Sequence, residues 1–205
     1  MKLFRVLLMT LLTMLLISPV RAAEVRAGCD SCRIDVQSLN GPIDLAGTWL
    51  FTRDDRPENK NPSIDTSDWK LVKAPGPWKE VYGDGKVFTV GWYRGTMRFD
   101  PSLVGQEVVV LVNTYMARMN VYVDGQEVYV RPNDINVERY YSIQPIPVRF
   151  KVSQPEHTFA FRVETPLMTG VYQLPFEMHR YDQADTSLAW WQIWGGEART
   201  IAAYT

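Results

Sequence analysis

The sequence predicts an all-β chain folded as an antiparallel β-sandwich of the jelly-roll kind, and three observations carry that prediction. Short runs of strand-forming residues recur about every ten positions from Leu45 onward, separated by turn signals. No sustained helical period follows the N-terminal leader. The tryptophans Trp49, Trp69, Trp78 and Trp92 each sit beside a turn or in a short strand, not along a helical stripe.

The elements follow in order. Met1 to Ala23 has a short basic start (Lys2, Arg5), an apolar stretch Val6–Val20 and small residues Ala22-Ala23, the order of a secretory signal peptide. The apolar stretch is shorter than the ~20 residues needed to span a bilayer. Residues 24–44 form an extended lead-in that contains Cys29-Asp30-Ser31-Cys32. The sandwich spans 45–182, and 183–205 is a tryptophan-rich C-terminal segment. Expected strands are Leu45–Phe51, Trp69–Lys73, Trp92–Phe99, Glu107–Asn113, Met119–Val123, Glu127–Val130, Pro147–Val152, His157–Glu164 and Gly170–Tyr181. Val108–Val112 is continuously apolar, which suits a strand buried on both faces. His157–Glu164 alternates, with Phe159, Phe161 and Val163 on one side and Thr158, Ala160 and Arg162 on the other. Asp124-Gly125 is a two-residue hairpin signal. Arg53–Pro62 and Ala74–Gly85 read as surface loops, the second exposing Trp78 and Tyr82.

Composition narrows the functional classes. The chain of 205 residues has a formal net charge of −1, which falls to about −4 once the leader with its three cations is removed. A mildly acidic chain without basic clusters argues against nucleic acid and anionic lipid as partners. Cys29 and Cys32 are the whole cysteine content. Without a second pair a zinc site is disfavoured, and a small structural disulfide in an oxidising compartment is the preferred reading. The chain is therefore expected to be exported, periplasmic or extracellular.

Several ordered pieces resemble the N-terminal sugar-binding domain of glycoside hydrolase family 2 enzymes (β-galactosidases and β-glucuronidases), a galactose-binding-like jelly roll. They are Leu45-Ala46-Gly47-Thr48-Trp49, then Asp68-Trp69 with Ala74-Pro75-Gly76-Pro77-Trp78, then Gly91-Trp92-Tyr93-Arg94, and Val121-Tyr122-Val123-Asp124-Gly125. The resemblance covers roughly 45–165 and implies carbohydrate binding without catalysis. That family's catalytic residues belong to a separate barrel, and none can be carried over to this chain. A second resemblance is to periplasmic domains of bacterial receptors with seven-transmembrane diverse intracellular signalling modules. It rests on Thr169-Gly170-Val171-Tyr172, Pro175-Phe176-Glu177 and Trp190-Trp191-Gln192-Ile193-Trp194-Gly195-Gly196. It implies a sensor role, with membrane linkage through a region beyond Thr205.

The residues themselves contain no recognisable catalytic device. Glycoside hydrolysis needs two carboxylates about 5 to 10 Å apart, and a sequence cannot pair its 23 acids. Neither a G-x-S-x-G elbow nor H-E-x-x-H occurs. His157 and His179 lie on alternating strands without a recognisable partner. Binding is easier to support, because a saccharide needs a flat aromatic and a few fixed polar groups on loops. The candidates are Trp78, Tyr82, Tyr115, Arg118 and Tyr172, each with a core or loop-stapling role as its alternative. Trp49, Trp69 and Trp92 read as structural, and Arg94 as one member of a hydrogen-bonded pair across strands. Calcium could sit near Asp54-Asp55 or Asn133-Asp134, but aspartate-rich turns explain both, and no cofactor is expected. The expected partner is a saccharide or other small polar ligand. A family 2 glycosidase fragment and a protein-interaction module remain as alternatives.

Overall fold

The computed structural model describes residues 32–78, 81–113, 117–130, 146–165, 170–171 and 173–184. Among the described residues the strands are β1 (Arg33–Val36), β2 (Ile43–Asp44), β3 (Gly47–Thr52), β4 (Lys70–Ala74), β5 (Val90–Phe99), β6 (Glu107–Asn113), β7 (Arg118–Val123), β8 (Gln126–Val130), β9 (Ile146–Lys151), β10 (Glu156–Glu164) and β11 (Gln173–Arg180). They form an antiparallel β-sandwich. The larger sheet has the order β4-β3-β5-β10-β7-β8 with β1 also alongside β5, and the smaller has the order β2-β11-β6-β9. The β1–β5 pair is parallel; the other pairs are antiparallel.

Period-2 alternation explains which face of each strand is buried. On β10, Phe159, Phe161 and Val163 enter the core between the sheets. They meet Val108, Val110 and Val112 of β6, Val121 and Val123 of β7, and Phe176 and Met178 of β11. Trp49 joins the layers through Phe161 at 5.4 Å and Phe176 at 5.2 Å, and its Nε1 donates to the Leu45 carbonyl. The expected hairpin forms at Asp124-Gly125, where φ is +51° and +82°. Positive φ at both turn residues matches the twist of the flanking strands.

The outer face of the larger sheet carries a second apolar cluster of Trp69, Trp92, Tyr122 and Ala160, with Leu50 packed against it. The connection from β3 to β4 lies over this face. Arg94, on β5, is only 6% exposed and donates to the carbonyls of Asn59 (3.2 Å), Asn61 (2.9 Å) and Pro62 (2.6 Å) of that connection. The expected pair across strands is therefore replaced by a clamp on a loop. Burial lowers the Arg94 pKa. Cys32 is buried and disulfide-bonded, and Cys29 lies outside the described residues. No helix among the described residues is long and apolar enough to cross a membrane.

Candidate functional site

Strand register defines one end of the sandwich. Glu164, the last residue of β10, lies opposite Arg118 at the start of β7 and opposite Val90 at the start of β5. Alternation sends Arg118, Asn120, Arg162 and Glu164 to the outer face of the larger sheet, because their neighbours Met119, Val121, Phe161 and Val163 fill the core. These side chains form a row of charges. The Arg162 guanidinium holds Asp55 with two hydrogen bonds, 2.8 Å and 2.7 Å, and reaches Glu164 at 3.2 Å. Trp92 Nε1 donates to the same Asp55 carboxylate at 2.8 Å. Arg118 lies 4.0 Å from Glu164, with 40% of its side chain exposed.

Beside this row, Tyr122 stacks on Trp92 at 5.6 Å, and the Lys60 ammonium lies 5.8 Å from the Tyr122 ring. Asn120 donates to Glu127 at 2.9 Å. The hydrogen bond from Arg162 holds the Asp55 carboxyl below its ordinary value, against the opposing effect of burial. Burial, with Glu127 adding to it, pushes the Tyr122 phenol up to about 12. The group presents fixed donors and acceptors at neutral pH. Among the described residues, Arg162 and Asp55 satisfy one another, and Arg118 meets Glu164 at 4.0 Å.

The remaining candidates separate. Trp78 is 0% exposed and packs on Phe51 (5.3 Å), Phe88 (5.6 Å) and Tyr93 (5.9 Å). The expectation of an exposed Trp78 is corrected: the loop turns its ring inward, because that leaves far less apolar area in water. Its Nε1 has no hydrogen-bond partner among the described residues. Tyr82 is half-buried; its hydroxyl accepts from the Arg53 backbone at 3.1 Å, and the Arg53 guanidinium lies 4.2 Å above its ring. Arg53 also pairs with Asp84, whose carboxyl it holds well below the usual range. Tyr82 thus staples its loop to the end of β3. Tyr115 and Tyr172 lie outside the described residues, as do Asn133 and Asp134. Trp49, Trp69 and Trp92 are buried, as their structural reading requires.

Both histidines have partners that the sequence did not reveal. His157 Nδ1 lies 2.6 Å from Asp124 Oδ2, and its Nε2 accepts from the Ser153 backbone N–H at 3.1 Å. An accepting Nε2 places the proton on Nδ1. The ring is 1% exposed and both nitrogens are committed, so it has no free lone pair for a substrate proton. Nε2 of His179 pairs with Glu177 at 2.9 Å. Among the described residues, no group of three or more His, Cys, Asp or Glu side chains converges to hold a metal. A shallow cavity of about 400 Å³ is lined by Gln106, Glu107, Arg180, Tyr181 and Asp182.

Sequence reasoning did not bring Arg162, Glu164, Tyr122 and Glu127 together, and it read Asp55 only as part of an aspartate-rich turn. Asp55 and Arg162 are 107 positions apart, so no local spacing joins them. The one available signal was alternation on β10, which already turned Arg162 away from the core.

No protein-family model matches the chain, and no curated protein matches it. Solved structures do. A glycosyl hydrolase family 2 member from Bacteroides cellulosilyticus matches with TM-score 0.52 at 20% identity, covering 67% of this chain and 20% of that one. A β-glycosidase from Bacteroides vulgatus matches with TM-score 0.49 at 17% identity, covering 67% and 20%. A calcium-binding mutant of β-glucuronidase 2 from Bacteroides uniformis matches with TM-score 0.48 at 15% identity, covering 67% and 17%. The shared property is the fold. This chain spans about a fifth of the length of these chains.

Proposed function

We propose that this chain is an exported, non-catalytic carbohydrate-binding-like module that recognises a saccharide or similar polar ligand at the Arg118–Glu164 end of the larger sheet. The supporting observation is the contrast among its charged groups. His157 is buried and locked by Asp124 and Ser153, while Arg118 is half-exposed, lies 4.0 Å from Glu164 and is set beside fixed acceptors. Such a site can orient the hydroxyl groups of a saccharide. The extracytoplasmic sensor part of a membrane signalling protein is one setting for this module. A second reading, one domain of a family 2 glycoside hydrolase, is favoured by a fold match that covers about a fifth of that enzyme.

A glycan array followed by calorimetric titration tests the proposal. A binding saccharide should lose at least about tenfold affinity with Arg118→Ala, the loss of one hydrogen bond to a charged group. Trp78→Phe should leave affinity unchanged. Absence of any saccharide ligand, together with capture of a defined protein partner, would replace this reading with a protein-interaction module. Unchanged affinity in Arg118→Ala would move the site elsewhere.

A further inference from the structure

We propose that the cavity where β11 ends and β6 begins is a second ligand site, and that it takes one neutral saccharide ring. It lies at the smaller sheet, so it goes beyond the Arg118–Glu164 reading and does not depend on it. Strand register builds it. Arg180, the last residue of β11, stands opposite Val108, and Glu107 opens β6 one residue earlier. Gln106, Glu107, Arg180, Tyr181 and Asp182 thereby line a space of about 400 Å³. Ligand pockets commonly measure about 300 to 1,000 Å³, so a small occupant is the one that fits.

Tyr181 supplies an apolar platform. It is 43% exposed, one of the few large apolar residues left in water. The Arg149 guanidinium lies 3.7 Å from the ring centroid and covers one face. Arg149 does not line the cavity, so the cavity meets the ring on another side. The ion pair with Glu107 anchors Arg149. The tyrosine ring is therefore held in place before a ligand arrives. Such a ring can cover the C–H face of a pyranose while its hydroxyl meets a polar group.

The charges select a neutral ligand. Each cation here already holds an anion: Arg149 holds Glu107, and Arg180 holds Asp182 at 2.5 Å. That pairing lowers the Asp182 pKa and raises that of Arg180, so both stay charged at neutral pH. An anionic ligand would face Glu107 and Asp182, and a cationic one would face Arg180. A hydroxyl group serves both signs, because it donates to a carboxylate and accepts from a guanidinium. Arg180 gives its Nε to Asp182, and its terminal N–H groups remain as donors among the described residues. Gln106 adds an amide that can donate and accept. One aromatic face ringed by donors and acceptors of both kinds matches a sugar ring.

The test uses the full chain with a ring-fluorinated tyrosine in place of Tyr181, followed by fluorine NMR. The probes are the methyl α- and β-pyranosides of glucose, galactose, mannose and xylose. At least one should move the fluorine resonance and saturate, with a dissociation constant on the order of 1 mM, as suits a shallow cavity. Arg180→Ala should weaken that binding at least about fivefold, the loss of a hydrogen bond to a charged group, with circular dichroism unchanged. If Arg180→Ala fails to fold, the fluorine titration of the parent still decides. No response to any pyranoside at concentrations well above about 1 mM would overturn the proposal. So would a stronger response to glucuronate than to the glucosides, or an equal response to glycine, since a charged ligand would then own the cavity. A saccharide that binds only at the Arg118–Glu164 end leaves the fluorine resonance unmoved; that result overturns this proposal and leaves the other site standing.

Discussion

Arg94 offers the sharpest test of how the outer face of the larger sheet is held. Its guanidinium is almost fully buried, and among the described residues it meets three backbone carbonyls and no carboxylate. Hydrogen bonds to a charged group are worth about 1.5–3 kcal/mol each. Three would sum to well above 4 kcal/mol, but the buried guanidinium has lost hydration, as its lowered pKa shows. In Arg94→Met the carbonyls of Asn59, Asn61 and Pro62 lose their donors, and the loop must open to rehydrate them. A net loss of about 3 kcal/mol is expected, within the range for breaking a buried charged contact. At about 2–4 °C per kcal/mol for a domain of this size, the melting temperature falls by about 6–12 °C. Arg94→Lys should recover only part of this, because one ammonium cannot span three acceptors as a planar fork does. Urea denaturation followed by circular dichroism measures the loss, with an unchanged slope indicating that only stability has moved. A loss below about 1 kcal/mol in Arg94→Met, or a lysine variant as stable as the parent, would refute the clamp.

Two further predictions concern packing and charge. A Cβ at Gly91 would come within 2.5 Å of Phe51 and Trp78 ring atoms, so Gly91→Ala should cost about 1–3 kcal/mol; an unchanged melting temperature would show that the aromatic core yields. Asp55→Asn should cost about 1 kcal/mol at neutral pH, since the pair with Arg162 is only partly buried. The folded Asp55 carboxyl titrates below its ordinary 3.8, so its contribution is complete above that value and is lost as pH falls through the lower folded value. The stability difference between parent and variant should therefore shrink below about pH 4; a gap that stays constant to pH 2 would contradict the linkage.

Most of the fold was legible because β-structure writes a period-2 pattern into the chain. The strands around Glu107–Asn113 and His157–Glu164 were read to within a residue or so, and the Asp124-Gly125 hairpin fell where its turn residues put it. β2, two residues long, left no pattern to read. The candidate site was less legible. Arg118 sits at a strand start facing outward, consistent with its position after the buried run. Its carboxylate neighbour Glu164 meets it through strand register, and Asp55 reaches Arg162 from the β3–β4 connection; no local motif encodes either.

The sequence alone determined the alternation, the turns and therefore the sandwich, because each depends on a residue and its near neighbours. Only the tertiary structure decided which polar groups meet and which aromatics remain in water. Trp78 and Arg94 make the point: a loop tryptophan went to the core and a strand arginine went to a loop. Burial and hydrogen-bond satisfaction are settled across the whole fold, between residues that the chain keeps far apart.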